Sequence, residues 1–353
     1  MNIPIPPPPI PSLHDPLPTP LPQTITSLFY DSNTLKSSFS SSHKPIIASL
    51  NIQSLQSKHA SLSQFLHECN INKIPLSILA LQETWQIPHP ELVSIPGFNF
   101  THTQRKDNRG GGVGFFIKDD INFKIIKHLS PFIPFSFECL TIETIIKNKR
   151  TSFSSIYRSP NPPPRTSPSA HHETFILQLD NLLHQLSSQY HESFILLDSN
   201  LNLLTPNPSS NTESYSHSFT SNGFIQTIHK ATRSHNSSHS LIDHILTNSH
   251  SPNITTGTVI LDISDHFLTF IQLPSPHPFS HNKTQTSRDL NIQNLNLLKN
   301  SLKNISWAET LSCNNVNESY NNFWNTFKPI YDLCIPLKTK KFNKNISGEI
   351  KIS

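Results

Sequence analysis

The chain has 353 residues, a formal net charge of +4 and a hydrophobic share of only 35%, against about 45–50% in ordinary globular proteins. That length holds one domain of roughly 200–250 residues with flanking segments, or two smaller domains, and the apolar deficit leaves part of the chain outside any core. So mild a charge suits a polyanionic partner without requiring one. No apolar run approaches the roughly 20 residues that span a bilayer. Cys69, Cys139, Cys313 and Cys334 form neither a Cys-x-x-Cys pair nor a disulfide framework, which argues against structural zinc and for a reducing compartment.

Residues 1 to about 42 are rich in Pro and then in Ser. Proline fixes φ and supplies no amide donor, so the stretch reads as a disordered leader, with a docking motif for a Pro-binding partner as the alternative. Pro4 and Pro6 to Pro9 interrupt any apolar core of a secretory signal, and a soluble, intracellular protein is expected. From Lys44 the texture changes. Pro45 to Ile52 reads as a buried strand ending in polar residues, and Leu62, Phe65 and Leu66 put a helix over 58–69. Ser77 to Glu83 is a second buried strand ending in a carboxylate. Gly112 to Ile117 is a third, after the loop from Arg105 to Gly111. Further strands are expected at 121–127, 138–146 and 152–157. Phe175, Leu179, Leu182, Leu183 and Leu186 then share one helix face ahead of a strand from Phe194 to Asp198.

Strands at 241–246, 256–261 and 267–273 complete a mixed α/β domain over about 43–275. Beyond it, Leu295, Leu298, Leu302 and Ile305 fall at helical intervals. Val316, Tyr320, Phe323, Phe327, Ile330 and Cys334 do likewise, with Pro329 expected to kink or end that helix. The last stretch is basic, with Lys328, Lys338, Lys340, Lys341, Lys344 and Lys351 against Asp332 and Glu349. It reads as a nucleic-acid contact or as a solvated terminus.

Polar residues recur at the ends of the apolar strands. Asn51 ends the first, Glu83 the second, and Tyr157-Arg158 the strand before a Pro-rich loop. Asp198-x-Asn200 ends another, and Ser264-Asp265-His266 precedes the last. Singly, each is an ordinary turn residue or surface pair. As an ordered series with Asp243 they carry more. The phrases Leu50 to Leu55, Leu81 to Trp85, Gly110 to Gly114, Tyr157 to Asn161, Ser240 to Ile245 and Ile263 to His266 resemble the endonuclease/exonuclease/phosphatase superfamily over roughly 45–273. Within it the likeness is to the endonuclease domains of non-LTR (LINE-like) retrotransposons.

The resemblance implies a four-layer α-β-β-α sandwich, two mixed β-sheets flanked by helices, with the site where the strand ends converge. It implies a phosphodiesterase that nicks double-stranded DNA and leaves a 3′-hydroxyl, with the element's RNA as a further partner and the nucleus as its place of action. Residues 276–353 then resemble a partly helical basic connector that precedes a reverse transcriptase. Hydrolysis of a phosphodiester calls for a hard cation, magnesium or manganese in its place, held by carboxylate, amide and water oxygens. Glu83, Asn51 and Asp265 are the ligands so implied. Asp198 is the general base by family analogy, and Asn200 orients the water or a phosphate oxygen. His266, steadied by Asp243, donates to the charge that develops on phosphorus, and Tyr157 hydrogen-bonds the phosphate. Whether Asp198 or the Asp243–His266 pair activates water is left open. The alternatives are a catalytically inactive nucleic-acid-binding remnant and an enzyme of small phosphodiesters.

Two departures stand out. Many relatives have Gly-Asp-Phe-Asn where this chain has Leu197-Asp198-Ser199-Asn200. Losing the Gly puts the strand-end backbone in question, and losing the Phe removes a packing group. For DNA contacts, Arg105, Lys106 and Arg109 ahead of the glycines form either a phosphate-gripping loop or a solvated hairpin tip. Arg158 is expected at the pocket rim.

Overall fold

The computed structural model describes residues 24–40, 42–106, 110–146, 148–235, 238–251, 253–273, 284–313 and 315–341. The chain divides into two compact units, residues 1–280 and 281–353. The strands of the first unit are β1 (Thr24–Tyr30), β2 (Ile46–Asn51), β3 (Leu76–Gln82), β4 (Phe98–Thr103), β5 (Val113–Lys118), β6 (Phe123–Ile125), β7 (Phe132–Ile133), β8 (Phe137–Ile146) and β9 (Lys149–Tyr157). After them come β10 (Glu192–Asp198), β11 (Ile225–Gln226), β12 (Arg233–His235), β13 (Ser238–Ser240), β14 (Asp243–Thr247), β15 (Asn253–Val259) and β16 (Leu268–Gln272). Its long helices are α1 (Ser32–Phe39), α2 (Leu55–Ile71), α3 (Pro168–Gln189) and α4 (Ser210–Ser221).

Two mixed sheets form. The first runs β1-β15-β16-β2-β3-β5-β4, and the second β11-β14-β10-β9-β8-β6 with β7 beside β8. Each contains a parallel pair joined by a helix: β2 and β3 through α2, β9 and β10 through α3. Period-two alternation decides what each strand face meets. In β2, Ala48 and Leu50 pack toward the cluster that includes Leu62, Phe65 and Leu66 of α2, while Ile47 joins the core between the sheets. In β10, Phe194 and Leu196 enter that shared core, while Ile195 and Leu197 pack with Phe175, Leu179 and Tyr215 of α3 and α4. Apolar residues in an unbroken run are what a strand covered on both faces requires. The α-β-β-α layering implied by the sequence is the observed one.

The leader is shorter than expected. Thr24–Tyr30 is a strand that pairs in parallel with β15, from Thr24↔Asn253 to Tyr30↔Val259. Asp31 caps α1, accepting from the Thr34 N–H at 2.8 Å. Tyr30, Leu35 and Phe39 are buried, and the rings of Tyr30, Phe39 and Phe270 lie 5.3–5.5 Å apart, centroid to centroid. A Cβ on Gly257 would stand 2.5 Å from Tyr30 and 2.6 Å from Phe270. Bare backbone there lets the rings close over β15. Residues 1–23 lie outside the described residues.

In the second unit β17 (Thr284–Arg288) pairs antiparallel with β18 (Leu337–Lys341), and α5 (Ile292–Lys303), α6 (Ala308–Leu311) and α7 (Val316–Cys334) lie between them in sequence. Helix α7 runs through Pro329 rather than ending there. Asp332 on it pairs with Lys328 at 2.7 Å and with Arg288 at 2.5 Å. No helix among the described residues is long and apolar enough to cross a membrane.

Candidate active site

The strand ends named in the sequence meet at one end of the sandwich. Across the second sheet, Glu138, Tyr157, Asp198 and Asp243 are successive register partners on four neighbouring strands. They form one transverse row. In the first sheet Asn51 pairs with Gln82, the residue before Glu83, at the end of the parallel strands β2 and β3. Strand β16 runs antiparallel to β2, so Asp265 and His266 just ahead of it come to the same end.

Hydrogen bonds join the two halves. The Asn51 amide Nδ2 donates to Glu83 Oε1 at 2.9 Å and to Asp198 Oδ2 at 2.8 Å. Its Oδ1 accepts from the Gln53 N–H at 3.2 Å. Asn51 thus stands between two carboxylates as a donor, with its oxygen turned to the Gln53 backbone. Trp85 Nε1 donates to Glu83 Oε2 at 3.2 Å, and the Ser264 hydroxyl donates to the Asn51 carbonyl at 2.7 Å. His266 Nδ1 lies 2.9 and 3.1 Å from the Asp243 oxygens, and its Nε2 lies 4.0 Å from Asp265 Oδ1.

The turns that hold these groups are strained. Glu83 and Asn200, each just past its strand, have φ of 50° and 52°, left-handed values at which a non-glycine residue costs roughly 1–2 kcal/mol. The Glu83 turn is clamped on both sides. The Ser54 N–H donates to the Glu83 carbonyl at 2.8 Å, and the Trp85 N–H to Gly111 at 2.8 Å. After Asp198, the Asn200 N–H donates to Asp198 Oδ1 at 3.0 Å, and Asn200 Nδ2 to the Arg158 carbonyl at 2.8 Å. The departures from the relatives' motif fit this loop. Leu197 is a buried strand residue packed with α3 and α4, and positive φ falls on Asn200 instead. Ser199 takes up polar contacts where the relatives' Phe would pack. Its N–H donates to the Ile242 carbonyl at 3.0 Å, and its Oγ accepts from the Leu201 N–H at 3.1 Å.

Charge is unevenly shared. Burial raises the Asp198 pKa, Asp243 and Glu83 add to that, and His266 and Asn51 oppose it, leaving it at about 7. Burial works against a charged His266, but Asp243 and then Asp198 outweigh it and lift its pKa to about 9. For Tyr157, burial followed by the Glu83 and Asp198 charges keeps the phenol protonated. One ligand atom each from Asp198, Asp243 and His266 lie within 4.8 Å of one another.

The cations expected to face DNA divide differently. Arg105 is 5% exposed. Its Nε donates to Glu138 Oε1 at 2.6 Å, and its guanidinium lies 3.9 Å over the Phe135 ring. Glu138 also accepts from the Gly112 N–H at 2.6 Å. A Cβ on Gly111, whose φ is +64°, would collide with this pair at 2.5 Å. Arg105 is therefore an internal clamp, drawn inward by a buried carboxylate that no solvent neutralises. Arg158, 6% exposed, donates to the Ser199 carbonyl at 3.1 Å and lies over Phe175; it braces the Asp198 loop from behind instead of lining a rim. Lys106 is exposed, and Arg109 lies outside the described residues.

Sequence reasoning missed two residues. Gln82 Nε2 donates to Ser155 Oγ at 3.1 Å and to the Leu196 carbonyl at 3.2 Å, tying the sheets together beside the site, while its Oε1 accepts from the Ser49 hydroxyl at 3.2 Å. Arg233 Nε and Nη2 donate to Asp265 Oδ2 at 2.9 and 2.7 Å. A polar residue inside an apolar strand marked Gln82; Arg233 begins the three-residue strand β12, too short to show a periodic signal.

A profile of the Endonuclease/Exonuclease/phosphatase family matches residues 48–266, more than half of the chain, and the chain belongs to that family of hydrolytic nucleases and phosphatases. Its fold is similar to that of the endonuclease domain of TRAS1, a telomere-specific non-LTR retrotransposon. The identity is 12% and the TM-score 0.50, over 65% of this chain and 98% of that one. It is also similar to the AP endonuclease LMAP from Leishmania major, at 13% identity and a TM-score of 0.53, over 71% of this chain and 93% of that one. At these identities the likeness is one of fold. No curated protein matches the chain.

The family depends on divalent metals, and the donors present fit one. Carboxylates supply hard oxygen donors: Asp198 and Asp243 cluster with His266, Asn51 links Glu83 to Asp198, and Asp265 Oδ1 lies 4.0 Å from His266 Nε2. Asp265 Oδ1 is buried with no hydrogen-bond partner among the described residues. Several carboxylates so close repel unless a cation or proton intervenes.

Proposed function

We propose that this protein is a divalent-metal-dependent endonuclease that nicks duplex DNA, of the kind that serves a non-LTR retrotransposon. In this reading residues 276–353 are a basic connector toward a reverse transcriptase. The observation that carries it is geometric: Asn51 donates to both Glu83 and Asp198 at 2.9 and 2.8 Å, and Asp243, the register partner of Asp198, holds His266 Nδ1 at 2.9 Å, so groups from both sheets meet at one end. A buried carboxyl, Asp198, is pushed up to about 7, and a buried imidazole, His266, to about 9. Near neutral pH the first can accept a proton while the second remains charged, which is the pairing that in-line attack on a phosphodiester demands.

Asp198 takes the proton of the attacking water, which Asn200 helps to orient. The new bond forms at phosphorus and the bond to the 3′ oxygen breaks; the departing oxygen takes a proton from solvent, leaving a 3′-hydroxyl and a 5′-phosphate. His266, held in its charged form by Asp243, donates to a phosphoryl oxygen as charge gathers there. Tyr157, protonated throughout, hydrogen-bonds the phosphate. Glu83 and Asp265 would hold the cation, magnesium or manganese, while Asn51 bridges Glu83 to Asp198; when bound, the ion would supply charge neutralisation at the phosphate.

Supercoiled plasmid incubated with magnesium tests this. Nicking is expected to stop in EDTA and to fall about 10³-fold in Asp198→Ala and in His266→Ala. The rate should climb as pH passes about 7, where Asp198 loses its proton, and decline beyond about 9, where His266 does. Undiminished nicking in EDTA, or in Asp198→Ala, overturns the reading.

A further inference from the structure

One cation beside the site has no part in the mechanism above. Arg233 is fixed by its backbone beside the site: it forms an isolated antiparallel bridge with His266. Its neighbour Thr232 accepts the Phe267 N–H at 2.7 Å through its carbonyl and the Asp243 N–H at 3.0 Å through its hydroxyl. The Arg233 side chain spends Nε and Nη2 on a single oxygen, Asp265 Oδ2. A guanidinium carries five N–H donors in a planar fork, so this grip leaves the rest of the fork for another acceptor.

Exposure separates Arg233 from the other two arginines around the site. Arg105 and Arg158 are 5% and 6% exposed, each stacked over an aromatic ring, whereas the Arg233 side chain is 34% exposed. Burial disfavours its charge, but Asp265 and then Asp198 and Asp243 outweigh that. A permanent cation thus lies half-open beside the carboxylates that a phosphate backbone must approach. A guanidinium matches phosphate oxygens in shape as well as charge.

We propose that Arg233 is a substrate-binding residue, gripping a non-bridging phosphate oxygen of the strand being cut while Asp265 sets the angle of its guanidinium. This rests on the nuclease reading. The competing role is a brace, in which Arg233 only orients Asp265 and never meets substrate.

Binding without cutting separates the two. In an Asp198→Asn background, affinity for a short duplex is measured by fluorescence anisotropy in EDTA over a series of KCl concentrations. Adding Arg233→Gln should weaken binding about tenfold at low salt and flatten the slope of log Kd against log salt by about 0.9, one phosphate contact's worth. Arg233→Lys should keep the slope, because the charge remains, and lose part of the affinity with the fork. With Asp198 restored, Arg233→Gln should raise KM more than it lowers kcat. An unchanged slope and KM in a folded Arg233→Gln protein, with kcat alone reduced, overturns the proposal in favour of the brace. A lowered slope in Arg233→Lys overturns it too. If the Asp198→Asn protein binds no duplex and the wild type cuts none, the nuclease reading itself fails and takes this inference with it. If both succeed while Arg233→Gln leaves the slope alone, only the inference falls.

Discussion

The two units of the chain treat apolar side chains in opposite ways. In the first, three buried clusters fill the spaces between helix and sheet, sheet and sheet, and sheet and helix. In the second, Leu290, Ile292, Leu295, Leu297, Leu311, Val316, Leu333 and Leu337 stand exposed, eight of the sixteen large apolar side chains so placed among the described residues. Its aromatic residues stack on one another along α7, Phe323 on Phe327 and Phe327 on Tyr331 at 5.3 and 5.5 Å. Two sheets enclose apolar residues from both sides. Three helices and a two-stranded ribbon leave the same residue types at the surface, so helical periodicity in a sequence does not by itself mean a core.

The sharpest test of that contrast compares deletions. Removing residues 1–40 strips Tyr30, Leu35 and Phe39 from the first cluster, each worth roughly 1.5–3 kcal/mol of burial, and leaves β15 an open edge. We expect loss of cooperative melting. Removing residues 281–353 should leave the melting of the first unit within a few degrees, and a collapse after that deletion would break the comparison. Next in size is Phe270→Ala, at the meeting of three rings, with an expected loss of about 3–5 kcal/mol in urea denaturation.

A pH effect comes third. His244 is enclosed behind the Asp198 loop, its Nε2 3.1 Å from the Leu241 carbonyl and its Nδ1 2.8 Å from the Tyr215 hydroxyl. Burial depresses its pKa to about 4 from 6.5. The unfolded chain binds a proton there at a higher pH than the folded chain does. Stability should therefore be full above about 6.5, fall as pH drops through that window, and level off below about 4. His244→Asn should flatten that fall in urea midpoints taken at intervals from pH 7 to pH 4; an equally steep fall in the variant removes His244 as its source. Smallest is Leu311→Ser, at a side chain 82% exposed. It should move stability by no more than about 0.5 kcal/mol, and a larger loss means that the second unit hides a core.

What the sequence made legible follows from how far each signal reaches. Asn51, Glu83 and Asp198 stood out because each ends a strand that is largely apolar on both faces, a local pattern that also fixes where the chain turns, and Tyr157 because it ends a strand just before a Pro-rich loop. Arg105 and Arg158 were misread because charge type suggests a surface, while what draws them inward lies far along the chain: Glu138, 33 residues from Arg105, and the Ser199 carbonyl, 41 residues from Arg158. Strand β1 was hidden by company. Thr24–Tyr30 follows a proline-rich stretch, and its partner β15 begins at Asn253, so no short window shows the pairing that orders it.

The Gln82 amide has a consequence of its own. Asn51, Glu83, Asp265 and His266 belong to one sheet, Tyr157, Asp198 and Asp243 to the other, so the chemistry straddles a seam. Gln82 stitches that seam beside the reacting groups, through Ser155 and Leu196. Sliding or swelling of the sandwich is thereby directed away from this end. A residue outside the proposed set thus sets the spacing between the proposed proton acceptor, Asp198, and the proposed ligand Glu83, and a change in sandwich thickness far from the site would be felt first as misalignment across that stitch.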